Sequence, residues 1–179
     1  MDNRYVKIFA SGSKAPLKAT PGHFATNHAH INYYLDMTTL KTRLSEAQEV
    51  AKHLAERFLF DKVVDTIVCL EGTQVIGAYL AEELTRAGVL STNAHKTIYV
   101  ITPEYNSNSQ MVFRENILPM VHGKNVVILT AVVTTGLSLN KSIEAIQYYG
   151  GKLQSAAAVF STLDELNGCP ITSIYSPED

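Results

Sequence analysis

Asn125-Val-Val-Ile-Leu-Thr-Ala-Val-Val-Thr-Thr-Gly-Leu-Ser138 decides how this chain is read. Val126 to Leu129 is a short apolar run, the pattern of a strand buried on both faces. Thr134, Thr135, Gly136, Leu137 and Ser138 follow as a hydroxyl-rich turn. A helical pattern then carries Leu139, Ser142, Ile143 and Ile146 on one face, up to the breakers Gly150 and Gly151. A strand, a glycine-bearing turn and a helix start form an arrangement that holds anions. Amide N–H groups at the helix start lack partners, glycine admits close approach, and hydroxyls add donors. The same spacing also serves an ordinary βα turn capped by Ser or Thr.

Outward from this stretch, apolar runs alternate with helical patterns. Leu44 to Phe58 places Ala47, Val50, Ala51, Leu54, Ala55 and Phe58 on one stripe, with Ser45 and Gln48 spaced for a capping box. Residues 63–69 read as a strand that turns through Glu71, Gly72 and Thr73 into a helix from Gln74 to Ala87, stopped by Gly88. Residues 96–102, 154–161 and 171–175 read as further strands. This alternation predicts right-handed βαβ crossovers and a mainly parallel sheet covered by helices on both faces. Ligands in such sheets lie at the carboxyl ends of the strands, which singles out the turns 70–73, 102–110 and 130–138. Before the first helix, residues 1–22 read as irregular, with Pro21-Gly22 as a turn. Residues 23–37 read as two short strands around a polar turn.

Composition bounds the function. The chain has 179 residues, 46% of them hydrophobic, enough for a single domain at 1–179 with a sizeable core. A net charge of -2 without a basic run argues against nucleic acid or an acidic membrane surface as partner. The first residues lack the apolar core of a signal peptide and no run reaches membrane-spanning length, so a cytoplasmic protein is expected. Cys69 and Cys169 form no metal or redox spacing, and Cys69 is expected to be a core thiol. His28 and His30 would share a strand face but have no third ligand nearby. Tyr33, Tyr34, Tyr148 and Tyr149 suit core or interface positions.

The stretch from Val126 to Ser138 resembles the signature of the type I phosphoribosyltransferases: a hydrophobic strand, two acidic residues, two apolar residues, then Thr-Thr-Gly and a small hydroxyl residue. Gly22-His23-Phe24 with the Tyr-rich segment after it resembles the N-terminal hood of the orotate phosphoribosyltransferase branch. The resemblance implies a Rossmann-like α/β fold, with an arm and hood at 1–40 and a core at 41–179. It implies that Thr134 to Ser138 hold the 5′-phosphate of phosphoribosyl pyrophosphate or of a nucleoside monophosphate, and that Glu71, Gly72 and Thr73 form the pyrophosphate loop. It also implies a two-fold homodimer, with contacts from the hood and residues 111–120. An active member would transfer the phosphoribosyl group to a nitrogenous base and release pyrophosphate, with magnesium bridging the diphosphate.

Three departures accompany the resemblance. The acidic pair is replaced by Thr130 and Ala131. In the segment matching the mobile catalytic loop, the basic positions fall on Pro103, Asn106 and Asn108, and only Glu104 keeps the acidic one. Arg114 and His122 are the nearby basic side chains. After the strand that ends near Phe160, Ser161 and Thr162 stand where the orotate branch has an Asp-Arg pair. The intact phosphate turn and the altered remainder leave two readings: a working transferase, or a catalytically degenerate nucleotide-binding sensor or partner subunit. Replacement of Gly136 by Val is expected to abolish phosphate binding and leave the fold intact.

Overall fold

The computed structural model describes residues 5–25, 30–86 and 90–179. Three strands open the chain: β1 (Val6–Ile8), β2 (Leu17–Ala25) and β3 (His30–Asp36), an antiparallel sheet in that order. Then come α1 (Thr38–Thr42), α2 (Leu44–Phe58), β4 (Thr66–Cys69), α3 (Gln74–Thr85), β5 (Tyr99–Ile101) and a small pair, β6 (Glu104–Tyr105) and β7 (Met111–Val112). The last part holds β8 (Asn125–Val133), α4 (Leu137–Tyr148), β9 (Lys152–Ser161), β10 (Glu165–Leu166) and β11 (Cys169–Tyr175). Among the described residues the main sheet has the order β10-β11-β9-β8-β4-β5. Its strands run parallel except β10, which pairs antiparallel with β11. The expected neighbouring parallel strands are therefore present.

Each strand is read from both sides. Ile67 and Cys69 of β4 and Val127, Leu129 and Ala131 of β8 pack into one core with Ala47, Ala51 and Leu54 of α2 and Ile76, Leu80 and Leu84 of α3. The alternate residues Val68, Val126 and Ile128 enter a second core with Leu139, Ile143 and Ile146 of α4. Strands buried on both faces need continuous apolar runs, which is why these segments were legible. Asp65, just before β4, accepts hydrogen bonds from Lys96 Nζ (2.9 Å) and from the backbone N (2.8 Å) and Nδ2 (2.7 Å) of Asn125. Burial raises its carboxyl, but these donors outweigh burial and hold it below the ordinary value.

Three details differ from expectation. Residues 1–22 are not irregular throughout: β1 pairs with β2, and β2 runs straight through Pro21-Gly22, where its register with β3 shifts between Pro21 and Phe24. A bulge tolerates a proline that a regular ladder would not, so this dipeptide marks a bulge and not a turn. Ser45 forms no capping box. α1 is separated from α2 by Arg43 alone, so Ser45 lies inside α2, which spans Leu44–Phe58 as expected, and Arg43 pairs with Glu46 at 3.2 Å. The segment after β5, read as a polar turn, forms a small hairpin, with Glu104 opposite Val112 and Tyr105 opposite Met111. The polar turn expected in the hood, with His28, and the helix stop at Gly88 lie outside the described residues, as does the side chain of Phe58. Among the described residues, no helix is long and apolar enough to cross a membrane.

Candidate functional site

β5 lies on one side of β4 and β8 on the other, so the order reverses between β4 and β8. A crevice at the carboxyl ends of the strands is expected at such a point. The turns after β4 and after β8 meet there.

Among the described residues, the turn after β8 carries amides and hydroxyls that the rest of the chain does not use. Gly136, at φ 77°, starts α4. The carbonyl of Gly136 accepts from the N–H of Asn140 at 2.8 Å. Among the described residues no protein acceptor takes the N–H of Ser138 or Leu139. Thr134, Thr135, Leu137 and Ser138 are exposed while Gly136 is buried. The far side of the turn is fastened to the end of β9: Thr162 donates its N–H to the Val133 carbonyl (3.0 Å) and its hydroxyl to the Thr134 carbonyl (2.6 Å). The sequence reason for Gly136 was close ligand approach. The structure adds another, because a β-carbon there would meet Leu163 and Leu166 at 3.1 Å.

The turn after β4 carries a carboxylate into the same crevice. Glu71 has φ 55° and Gly72 φ 76°. A residue with a β-carbon in this left-handed region costs about 1–2 kcal/mol. Glu71 reaches across to β8, where Oε2 accepts from Thr130 Oγ1 (2.9 Å), Ala131 N (3.1 Å) and Val132 N (3.3 Å). Thr130 and Ala131, where the resemblance puts two acidic residues, are thus donors to an acid from another turn. Lys41 Nζ donates to the Glu71 carbonyl at 2.9 Å, which places a cation over this turn. Thr73 is occupied differently: its hydroxyl is buried and donates to the Leu70 carbonyl (2.7 Å) and Leu129 carbonyl (3.1 Å). Its N–H also goes to the Leu70 carbonyl, so Thr73 fastens β4 to β8 and offers a ligand no free donor.

Asn106 and Asn108 have turn roles. Asn106 Oδ1 accepts from the N–H groups of Asn108 (2.9 Å) and Gln110 (3.0 Å), which closes the β6–β7 hairpin. Arg114 is held by Glu104 through Nε (2.9 Å) and Nη2 (2.7 Å). His122 precedes β8, at the opposite end of the sheet, with Nδ1 3.1 Å from the Tyr149 carbonyl. Ser161 donates to the Leu163 carbonyl at 2.7 Å, so it too serves the chain's own turn. The hairpin nevertheless borders the crevice: partial burial, and then the Glu71 charge, raise the Tyr105 phenol above its ordinary value. Burial pushes the Cys69 thiol up to about 12, as suits a core residue.

Other features lie apart from this crevice. A cavity of about 390 Å³ in the hood is lined by Tyr5, Lys18, Thr20, Phe24, Tyr34 and Asp36. His23 and His30 stack with ring centroids 5.0 Å apart. Among the described residues no three His, Cys, Asp or Glu side chains gather to hold a metal ion.

No family model matches the sequence, and no curated protein matches it. Solved structures do. The UMP synthase of Leishmania donovani aligns at TM-score 0.66 and 16% identity, over 89% of this chain and 34% of that one. This chain therefore spans about a third of that protein. The orotate phosphoribosyltransferase of Mycobacterium tuberculosis H37Rv, in complex with 5-phospho-α-D-ribosyl 1-diphosphate, aligns at TM-score 0.60 and 16% identity, over 81% of each chain. The adenine phosphoribosyltransferase of Leishmania donovani aligns at TM-score 0.61 and 11% identity, over 90% of this chain and 77% of that one. Together with the parallel sheet and its two turns at the switch point, these alignments show that the chain has the phosphoribosyltransferase fold.

Proposed function

We propose that this chain is a phosphoribosyltransferase-like protein that binds phosphoribosyl pyrophosphate or a nucleoside 5′-monophosphate through Thr134 to Ser138. The observation that carries this reading is the pair of amides at Ser138 and Leu139, which have no protein acceptor among the described residues, on the same turn as the exposed Thr134, Thr135 and Ser138. A dianion there accepts several charge-assisted hydrogen bonds, each worth about 1.5–3 kcal/mol. The helix start adds about 0.3–1 kcal/mol. If active, the protein transfers the phosphoribosyl group to a nitrogenous base with release of pyrophosphate. Magnesium carried by a diphosphate needs one or two protein carboxylates, and Glu71 is the one beside this turn. There the metal would neutralise diphosphate charge.

The second reading, a nucleotide-binding sensor or partner subunit without turnover, is favoured by two specific observations. The positions of the acidic pair donate hydrogen bonds, and the hairpin that should carry free cations has its Arg114 tied to Glu104.

Calorimetry with phosphoribosyl pyrophosphate and nucleoside monophosphates, with and without magnesium, tests the site. Thr135→Val together with Ser138→Ala is expected to weaken both ligands about tenfold or more, the loss of at least one such hydrogen bond. Unchanged affinity in that variant overturns the assignment.

We also propose a two-fold dimer. Tyr5, Phe9, Tyr33 and Tyr34 of the hood segment are exposed, and aromatic residues suit an interface core. Sedimentation should show a dimer at micromolar concentration, and a monomer there rejects it.

A further inference from the structure

We infer that Thr162 is the positioning residue of the phosphate turn: it holds two successive peptide planes so that the N–H groups of Thr134 and Thr135 lie on the open side, where an anion is bound. The inference rests on the phosphate site proposed above.

Three observations lead to it. First, Thr162 holds the turn at two points. Its N–H donates to the Val133 carbonyl (3.0 Å) and its hydroxyl to the Thr134 carbonyl (2.6 Å). Successive carbonyls of an extended strand point to opposite sides, so two adjacent ones held by one residue mark a bend. A trans peptide carries its C=O and N–H on opposite sides, and no peptide among the described residues is cis. With both carbonyls turned toward Thr162, the N–H groups of Thr134 and Thr135 point away from the end of β9. Second, among the described residues neither N–H has a protein acceptor, and both threonines are exposed. Successive N–H groups on one side of a bend make a concavity that takes an anion. Third, the support is stiff. Ser161 Oγ donates to the Leu163 carbonyl (2.7 Å) and accepts from the Leu163 N–H (3.1 Å). The N–H of Ile171 in β11 donates to the Asp164 carbonyl (2.8 Å), and Leu163 and Leu166 close on Gly136 from the same side.

The role follows from what a hydroxyl can do. It has one proton, and Thr162 gives it to the Thr134 carbonyl, so that proton is not offered to a ligand. Thr162 therefore acts through the turn. Without the hydroxyl, the peptide between Thr134 and Thr135 is free to turn over. It then shows the anion a carbonyl oxygen, which only accepts, in place of a donor. Serine keeps the proton, whereas valine keeps the shape and loses it. Where the orotate branch has the arginine of its Asp-Arg pair, this chain thus has a hydroxyl that serves the phosphate turn.

Affinities of the whole chain for inorganic phosphate and ribose 5-phosphate are to be measured by calorimetry for the parent, Thr162→Val, Thr162→Ala and Thr162→Ser. The Thr135 amide is to be followed by proton–nitrogen NMR in the same samples. Thr162→Val and Thr162→Ala should weaken both ligands by one common factor of about ten, the worth of one charge-assisted hydrogen bond. Thr162→Ser should stay within about threefold of the parent. Added phosphate should move the Thr135 amide proton downfield in the parent and in Thr162→Ser, and leave it in place in the other two. Thermal melts confirm that the variants fold, as the exposure of Thr162 leads one to expect. Parent-like affinity in a folded variant without the hydroxyl overturns the inference. So does a serine variant as weak as the alanine one, or a Thr135 amide that shifts alike in all four proteins. If neither ligand binds the parent, the phosphate site falls and this inference with it. If both bind the parent and every variant equally, only the role of Thr162 falls.

Discussion

Gly136→Val is expected to destabilise the fold by about 3 kcal/mol or more, a large share of the roughly 5–15 kcal/mol that holds a domain together. Two costs add. At φ 77° an L-residue pays about 1–2 kcal/mol, and a β-branched one is a conformational outlier. A β-carbon would also sit 3.1 Å from Leu163 Cδ1 and from Leu166 Cδ2, before the two γ-methyls of valine are placed. Overpacking of this kind costs about 1–3 kcal/mol. The expectation from sequence, a variant that folds normally and merely loses phosphate, is therefore corrected: Gly136 supports the packing of the turn against residues 163–166. Urea denaturation of Gly136→Ala, Leu166→Ala and the double variant separates the two costs. The steric part should shrink when Leu166 is truncated, and the backbone part should remain. Gly136→Val within about 0.5 kcal/mol of the parent contradicts this account.

That correction indicates what a sequence can carry. β4, β8 and β9 were legible because a strand buried on both faces is apolar over most of its length, and α2 because its stripe is regular. The hood strand β2 was misread, since proline and glycine mark a turn or a bulge with the same letters. The hairpin of β6 and β7 has a ladder of two residue pairs and depends on the Asn106 side chain, so no periodicity announces it. The β10–β11 hairpin did carry a signal. Asn167-Gly168, with φ 51° and 79°, is the dipeptide favoured in tight hairpins, and it escaped notice between two expected strands. The contact between Glu71 and residues 130–132 joins positions some 60 apart and needs a left-handed backbone at Glu71. Neither is written in local spacing. The neutral residues Thr130 and Ala131 were visible in the sequence, while the Glu71 carboxylate that accepts from them was not.

Catalysis is where this matters most, and the expected result is turnover at least about ten-thousandfold below an ordinary enzyme rate of roughly 10 per second. Displacement of pyrophosphate builds positive charge on the sugar and negative charge on the leaving group. Preorganised groups aimed at such charge are each worth about a hundredfold or more. On the sugar side, one carboxylate is at hand, from Glu71, where the resembling enzymes have two on the strand itself. On the leaving-group side, Asn106 and Asn108 are neutral turn residues, Arg114 is held by Glu104, and His122 is at the wrong end of the sheet. Two or more missing groups multiply to the stated loss. Lys41 does not restore it: its ammonium is positioned on a backbone carbonyl at the edge of α1. Restoring the pair by Thr130→Asp and Ala131→Asp is also costly, because Ala131 is 4% exposed within the α2–α3 core and the new carboxylates would face Glu71. The parent is therefore the decisive sample. Pyrophosphate release is to be followed with phosphoribosyl pyrophosphate, magnesium and orotate, adenine or other bases, with Lys41→Ala as a control. Release at several turnovers per second by the parent would reject the binding-only reading. Abolition of that release in Lys41→Ala would make Lys41 the cation that replaces the missing loop residues.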